Sequence, residues 1–121
     1  MARDAKRTGN RRTQMNKGVV ELALLSILRE RAHYGLEILD RMNGEVGLEV
    51  ADGTIYPLLH RMETGGFITS EWVIEPDHAR PRKYYALTVQ GRAELRAMAT
   101  EWRDLSKRIN ALVGKAGPEK E

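Results

Sequence analysis

The chain has no cysteine. That excludes disulfides, thiol nucleophiles and zinc–thiolate sites, and it fits a cytosolic protein. No run of eighteen apolar residues occurs, so no membrane span is expected. The N-terminus is basic but has no apolar stretch, which argues against a secretory signal. Proline is scarce, four in 121 residues. The three histidines, His33, His60 and His78, lack metal-ligand spacing. Ser26, Ser70 and Ser106 lack the context of a nucleophile elbow. No glycine-rich phosphate loop is present, and Glu45 and Glu49 read as solvated carboxylates. An enzyme, a metal site or a bound cofactor is therefore not expected.

What remains is a chain of one domain's length, 41% hydrophobic and 31% charged, enough for one modest core. The net charge of +3 is uneven. Residues 1–17 hold six basic side chains (Arg3, Lys6, Arg7, Arg11, Arg12, Lys17) against Asp4 alone, a net of +5, which leaves −2 for the rest. Residues 1–15 have few large apolar groups and read as a disordered arm. Such an arm is either a tail or a contact for nucleic-acid phosphates.

Periodicity places the elements. Val20, Leu24, Ile27 and Leu28 share one face of a helix from about Asn16 to Arg29, widened by Val19 and Leu25. After an interruption at 32–35, Leu36, Ile38, Leu39 and Met42 pattern a short second helix, stopped at Asn43-Gly44 in a left-handed turn. Leu48-Glu49-Val50 alternates like a short strand. A third helix opens near Asp52 as N-cap, with Pro57 limiting how early it starts, and closes at Gly65-Gly66. Its apolar residues Ile55, Leu58, Leu59 and Met62 lie on one side; Thr54, Tyr56, Pro57, His60, Arg61 and Thr64 lie on the other.

Phe67 to Ile74 reads as a strand, with Ile68, Trp72 and Ile74 at even spacing and Trp72 as a packing residue. Glu75 to Pro81 is the turn, and Arg82 to Leu87 returns, with one of Tyr84 and Tyr85 in the core. Two strands cannot stand alone and must pack on the helices. Thr88 caps a last helix. In it Leu95, Met98, Trp102, Leu105, Ile109 and Leu112 recur at steps of 3, 4, 3, 4 and 3, a heptad seam. The seam is short for a self-sufficient coiled coil, so it should pair with a second copy and also lean on the first helix. Gly114, Gly117 and Pro118 are expected to end it.

The fold class is therefore mainly α with a small β-wing: a winged helix-turn-helix over 16–90, a dimerisation helix over 91–113 and a tail over 114–121. In such a fold the recognition helix offers its N-terminal end to the major groove. Thr54, Tyr56, Pro57, His60 and Arg61 are then candidate DNA contacts. Arg61 is suited to guanine and Thr54 to a thymine methyl; Tyr56 and His60 are suited to phosphates. Arg80, Arg82 and Lys83 sit where a wing meets the flanking backbone, contacts that position without specifying. A winged-helix module that binds protein without direct operator binding is the alternative, because fold alone does not fix function.

Gly53-Thr54-Ile55-Tyr56-Pro57-Leu58-Leu59-His60-Arg61-Met62-Glu63, followed by Gly66-Phe67-Ile68, resembles the recognition-helix signature of PadR-type transcriptional regulators. Arg80-Pro81-Arg82-Lys83-Tyr84-Tyr85-Ala86-Leu87-Thr88-Val89-Gln90-Gly91 resembles their wing. The likeness runs from Lys17-Gly18 through His33-Tyr34-Gly35-Leu36-Glu37-Ile38 to Trp102, about residues 17–113. It departs where the family has His-Gly-Tyr and this chain has His33-Tyr34-Gly35-Leu36. The resemblance implies a homodimeric repressor of the short subclass, acting on double-stranded DNA in the cytoplasm at the nucleoid. It adds Lys17 and Tyr34 as DNA contacts. It also implies, as in some members, a flat aromatic effector held at the dimer interface by Trp102 and Met98.

Overall fold

A computed structural model describes residues 18–77 and 79–116. The basic arm, Lys17, His78 and the end of the tail lie outside the described residues. Helix α1 covers 18–30, followed by β1 (His33–Tyr34), α2 (Gly35–Arg41), a wider π-type turn (Met42–Val46), α3 (Asp52–Thr64), β2 (Ile68–Val73), β3 (Arg82–Leu87) and α4 (Val89–Ala116). The helical faces read from periodicity meet in one core. Leu24, Leu25 and Leu28 of α1, Ile38 and Met42, Ile55 and Leu59 of α3, and Ile68 of β2 have almost no exposed surface. Leu36 turns to solvent, so the large apolar side chains that α2 buries are Ile38, Leu39 and, just beyond it, Met42.

The segment between α2 and α3 differs from expectation. The helix does not stop at Asn43-Gly44; the chain winds on through the π-type turn, and Gly47 takes the left-handed conformation, φ 81°. Leu48 and Val50 are buried, yet 48–50 is not a strand. The Asn43 side chain takes the place of a strand neighbour. Its Oδ1 accepts from the Val50 amide at 2.7 Å, and its Nδ2 donates to the carbonyls of Val50 at 2.9 Å and Leu39 at 3.1 Å. Both backbone groups of Val50 are thereby satisfied, as a buried segment requires.

Asp52 is the first residue of α3 rather than its cap. Ala51 holds the cap position, and its carbonyl accepts from Thr54 and Ile55. Asp52 still places a negative charge in the positive first turn. The helix starts at Asp52 as expected, and Pro57 sits in its second turn. At the other end, Phe67 donates to the Met62 carbonyl and Gly66, φ 86°, to that of Glu63, a Schellman stop.

The sheet has three strands in the order β1-β3-β2, all antiparallel. Strand β1 pairs His33 with Tyr85 and Tyr34 with Tyr84. Ile68 opposes Leu87 against the core, and Tyr85 is the buried tyrosine of its pair. Trp72 shares the Ile68 face but is 66% exposed, because the hairpin has by then run beyond the helices; it is not a packing residue. Ile74 is exposed too.

Thr88 does cap α4. Its Oγ1 accepts from the Gly91 amide at 2.9 Å and donates to the Gly66 carbonyl at 2.7 Å, while its amide donates to the Phe67 carbonyl. Gly91 packs so closely on that loop that a Cβ there would lie 1.9 Å from the Phe67 oxygen. Helix α4 continues past Gly114 to Ala116.

Candidate nucleic-acid interface

Thr54, Tyr56, Pro57 and His60 are exposed on α3, as are Arg61 and Thr64. The core-facing quartet Ile55, Leu58, Leu59 and Met62 fixes the roll of the helix that presents them. Tyr56 is half open, and its ring edge lies over Gly35. A Cβ at that glycine would meet the Tyr56 Cε1 at 2.7 Å and the hydroxyl at 2.8 Å. Gly35 therefore lets the first residue of α2 seat the recognition-helix tyrosine. Arg61, one turn further along, does not stand free: its Nη2 is 2.9 Å from Glu21 of α1. Arg61 is largely solvated and Glu21 about a third exposed, so this bond is weak and exchangeable.

The wing has two unlike faces. On one, Tyr34 and Tyr84 meet edge to face with centroids 5.5 Å apart, and the Arg82 guanidinium lies 4.1 Å from the Tyr34 ring centroid. Glu75, at the start of the turn, accepts from the Tyr84 hydroxyl at 2.9 Å and pairs with Arg82 at 3.5 Å. Burial and the Glu75 carboxylate push the Tyr84 hydroxyl above its ordinary range. On the other face Lys83 Nζ sits 5.8 Å from the Trp72 ring and 5.7 Å from that of Tyr85. Burial, reinforced by Glu63, likewise raises Tyr85. Of the three wing cations, Arg82 and Lys83 are engaged with aromatic rings of their own chain, and Arg80 is exposed beside the turn. Tyr34 is part of the wing's internal cluster, joined to it through β1.

Behind these faces lies a hub that the sequence reading missed. His33 is fully buried. Its Nδ1 is 2.8 Å from the Arg31 carbonyl and its Nε2 is 3.1 Å from the Arg41 guanidinium. A carbonyl can only accept and a guanidinium can only donate. These two partners suit the ring tautomer that donates from Nδ1 and accepts at Nε2. Arg41 also grips Glu30 of α1 at 2.8 and 3.1 Å and Glu45 of the π-type turn at 2.9 and 3.0 Å. It holds both carboxyls below the usual carboxylate range. Arg31 does the same for Glu37, which also accepts from the Tyr34 amide. This network ties α1, β1 and α2 into the support on which Tyr34 and Gly35 sit. The signal for it in the sequence is only the i,i+4 spacing of Arg41 and Glu45.

The heptad residues of α4 divide. Leu95 is buried in the core of its own chain and Met98 packs against that core. Trp102, Leu105, Ile109 and Leu112 remain open, with Val113 beside them. Two crevices of about 330 and 310 Å³ meet at Trp102. Val19 and Leu22 of α1 line both, and Met98 and Leu105 line the first.

A three-helix bundle with a stranded wing, a polar helix face beside it and a last helix bearing an apolar stripe defines a winged-helix regulator. Residues 24–97 match the Transcriptional regulator PadR-like family, and the chain belongs to that family of transcriptional regulators. A transcriptional regulator of Mycobacterium tuberculosis is 30% identical over 82 residues, 68% of this chain and 74% of that one. A PadR-like transcriptional regulator of Bacillus cereus superposes with a TM-score of 0.76 at 33% identity, covering 83% of this chain and 96% of its own. Bacillus subtilis PadR, solved in complex with operator DNA, matches at TM-score 0.60 and 31% identity over 65% of this chain and 44% of its own.

Proposed function

We propose that this chain is a sequence-specific DNA-binding repressor that acts as a homodimer on a near-palindromic operator at the nucleoid. The observation that carries the reading is the outward polar face of α3, with Thr54, Tyr56, Pro57, His60 and Arg61 exposed beside a wing bearing Arg80. The operator complex of Bacillus subtilis PadR supports DNA as the ligand of that face. Base discrimination falls to Thr54 and Arg61, and phosphate contact to Tyr56, His60 and Arg80. Arg82 and Lys83 touch the backbone from a wing they also stiffen, and Lys17 adds a phosphate contact from the arm. Tyr34 serves mainly by holding Arg82.

The dimer follows from α4. Five neighbouring apolar side chains, from Trp102 to Val113, stand in water on one helix, a stripe that calls for a partner. A second copy laid on it would set two recognition helices about one DNA turn apart, roughly 34 Å. The crevices at Trp102 are of a size to hold one flat aromatic effector. An effector that favours a different dimer geometry would release the operator.

Selection of bound duplexes from a random pool, followed by anisotropy titrations over a salt series, tests the proposal. A palindromic consensus with steep salt dependence is expected. Binding without sequence preference, or none at low salt, overturns it.

A further inference from the structure

A second concavity lies away from the recognition face. Arg92, Arg96, Ala99 and Arg103 recur along α4 at steps of 4, 3 and 4, a stripe beside the apolar seam. With Arg29 of α1 they line a cavity of about 400 Å³, which also takes in Ser26 and Thr100. Four arginine side chains thus line one hollow. Four of the other described arginines, Arg31, Arg41, Arg61 and Arg82, each have a carboxylate. None of Arg29, Arg92, Arg96 and Arg103 is ion-paired with a described residue. Like charges gathered without a counter-charge repel one another, and an anion set between them removes that repulsion. The lining of this cavity is about half polar, whereas that of the crevices at Trp102 is mostly apolar, so it suits a charged ligand better than a flat aromatic one.

Its place in the fold separates it from the operator. Helix α4 begins where α3 ends, because Gly91 packs on Phe67 just past the α3 C-terminus. A recognition helix offers DNA its other end. Arg92 follows Gly91 directly, so the basic cavity opens beside the end of α3 that DNA does not approach.

We propose that this cavity is a binding site for a small multivalent anion carrying phosphate or carboxylate groups. Guanidinium forks bind either group bidentately. Arg29 would grip the anion from α1, and Arg92, Arg96 and Arg103 from α4. This inference stands independently of operator binding, since the site can be assayed without DNA.

The test is isothermal titration of the full-length protein with inorganic tripolyphosphate and, separately, with citrate, at constant ionic strength. Saturable binding of one anion per chain is expected, and the preferred probe tells phosphate from carboxylate. Losing two charge-assisted contacts in the variant Arg29→Gln/Arg96→Gln should weaken binding by about tenfold or more. Arg108→Gln, further along α4 and outside the cavity, should leave it unchanged. Circular dichroism of each variant confirms that it is folded. No saturable binding of either probe overturns the proposal, as does equal loss in Arg108→Gln. So does a double variant that binds both anions normally while losing DNA affinity, which would assign these arginines to DNA. A double variant that binds normally but shifts the monomer–dimer balance assigns them to a second copy and overturns it too.

Discussion

Replacing Gly91 by alanine separates two opposed expectations. Alanine is the better helix former by about 1 kcal/mol, and Gly91 lies inside α4. Propensity alone therefore predicts a more stable protein. The packing predicts the reverse. The new methyl would lie 1.9 Å from the Phe67 oxygen and 3.0 Å from Leu87 Cδ2. An ordinary carbon–oxygen contact is about 3.3 Å, so α4 and the loop must separate by roughly 1.4 Å. Backbone faces the methyl, and no rotamer relieves the clash. Separation also stretches the Thr88 bonds to Gly66 and Phe67, at 2.7 and 3.1 Å. Overpacking costs about 1–3 kcal/mol and each strained hydrogen bond about 1 kcal/mol. Against the propensity gain, the net loss is roughly 2–4 kcal/mol. For a chain of this length that lowers Tm by roughly 8–16 °C. Thermal melts at matched protein concentration read it directly, with Gly114→Ala as control. Gly114 is in the same helix with nothing near its added methyl, and the control should melt at or slightly above the wild-type temperature. An unchanged or raised Tm for Gly91→Ala would refute the close contact.

Other expectations follow from the same contacts. Glu21→Gln frees Arg61 from its ion pair and should tighten operator binding a few-fold with little change in stability. Arg61→Ala should cost about 1–3 kcal/mol of discrimination against mismatched sites, and an operator-to-scrambled affinity ratio in Arg61→Ala unchanged from that of the wild type would remove Arg61 from base reading. Gly35→Ala pushes on the Tyr56 ring edge, which can swing away. It should weaken DNA binding while leaving the urea midpoint almost unmoved, and a large midpoint shift would contradict that. Glu30 and Glu45 are both held below their unfolded values by Arg41. Their contribution is therefore fully present above the ordinary carboxylate range and fades as pH falls through the folded values. The urea midpoints of wild type and Glu30→Gln/Glu45→Gln should differ modestly near neutrality, the groups being exposed, and converge as pH falls below the folded carboxyl values. A gap that stays constant with pH would show that the pairing does not stabilise the fold.

What could be read from the chain followed from repetition. The α1 and α3 faces, the Gly65-Gly66 stop and the Thr88 cap are local patterns several residues long, and the core confirms them. The two-residue strand β1 carries no period, and it exists only because β3 arrives beside it from fifty residues away. The π-type turn is invisible for a similar reason: Asn43 looked like a stop until Val50 supplied the backbone for its amide to hold. Trp72 fits the strand alternation, but alternation names a face without saying how far the helices extend beneath it. The site was legible in its residue types and less so in their partners. Arg61 and Arg82 are basic in any reading, yet Glu21 and Tyr34 that occupy them come from distant segments. The arginine cavity escaped notice because Arg29 and the α4 stripe converge only in three dimensions.

The close seat of Gly91 on Phe67 also has a mechanical consequence. Helix α4 has 28 residues, about 42 Å at 1.5 Å each, and it is anchored at one end by contacts that leave almost no clearance. A disturbance at the wing exit that also loosened Leu95 and Met98 from the core would turn the helix as a lever about that point. A tilt of about 5° at the fulcrum would carry the far tip through nearly 4 Å over that length, comparable to the rise between neighbouring DNA base pairs. Small disturbances where the helix leaves the wing would thus be magnified along its length, and the tightness of one glycine contact sets how faithfully they are transmitted.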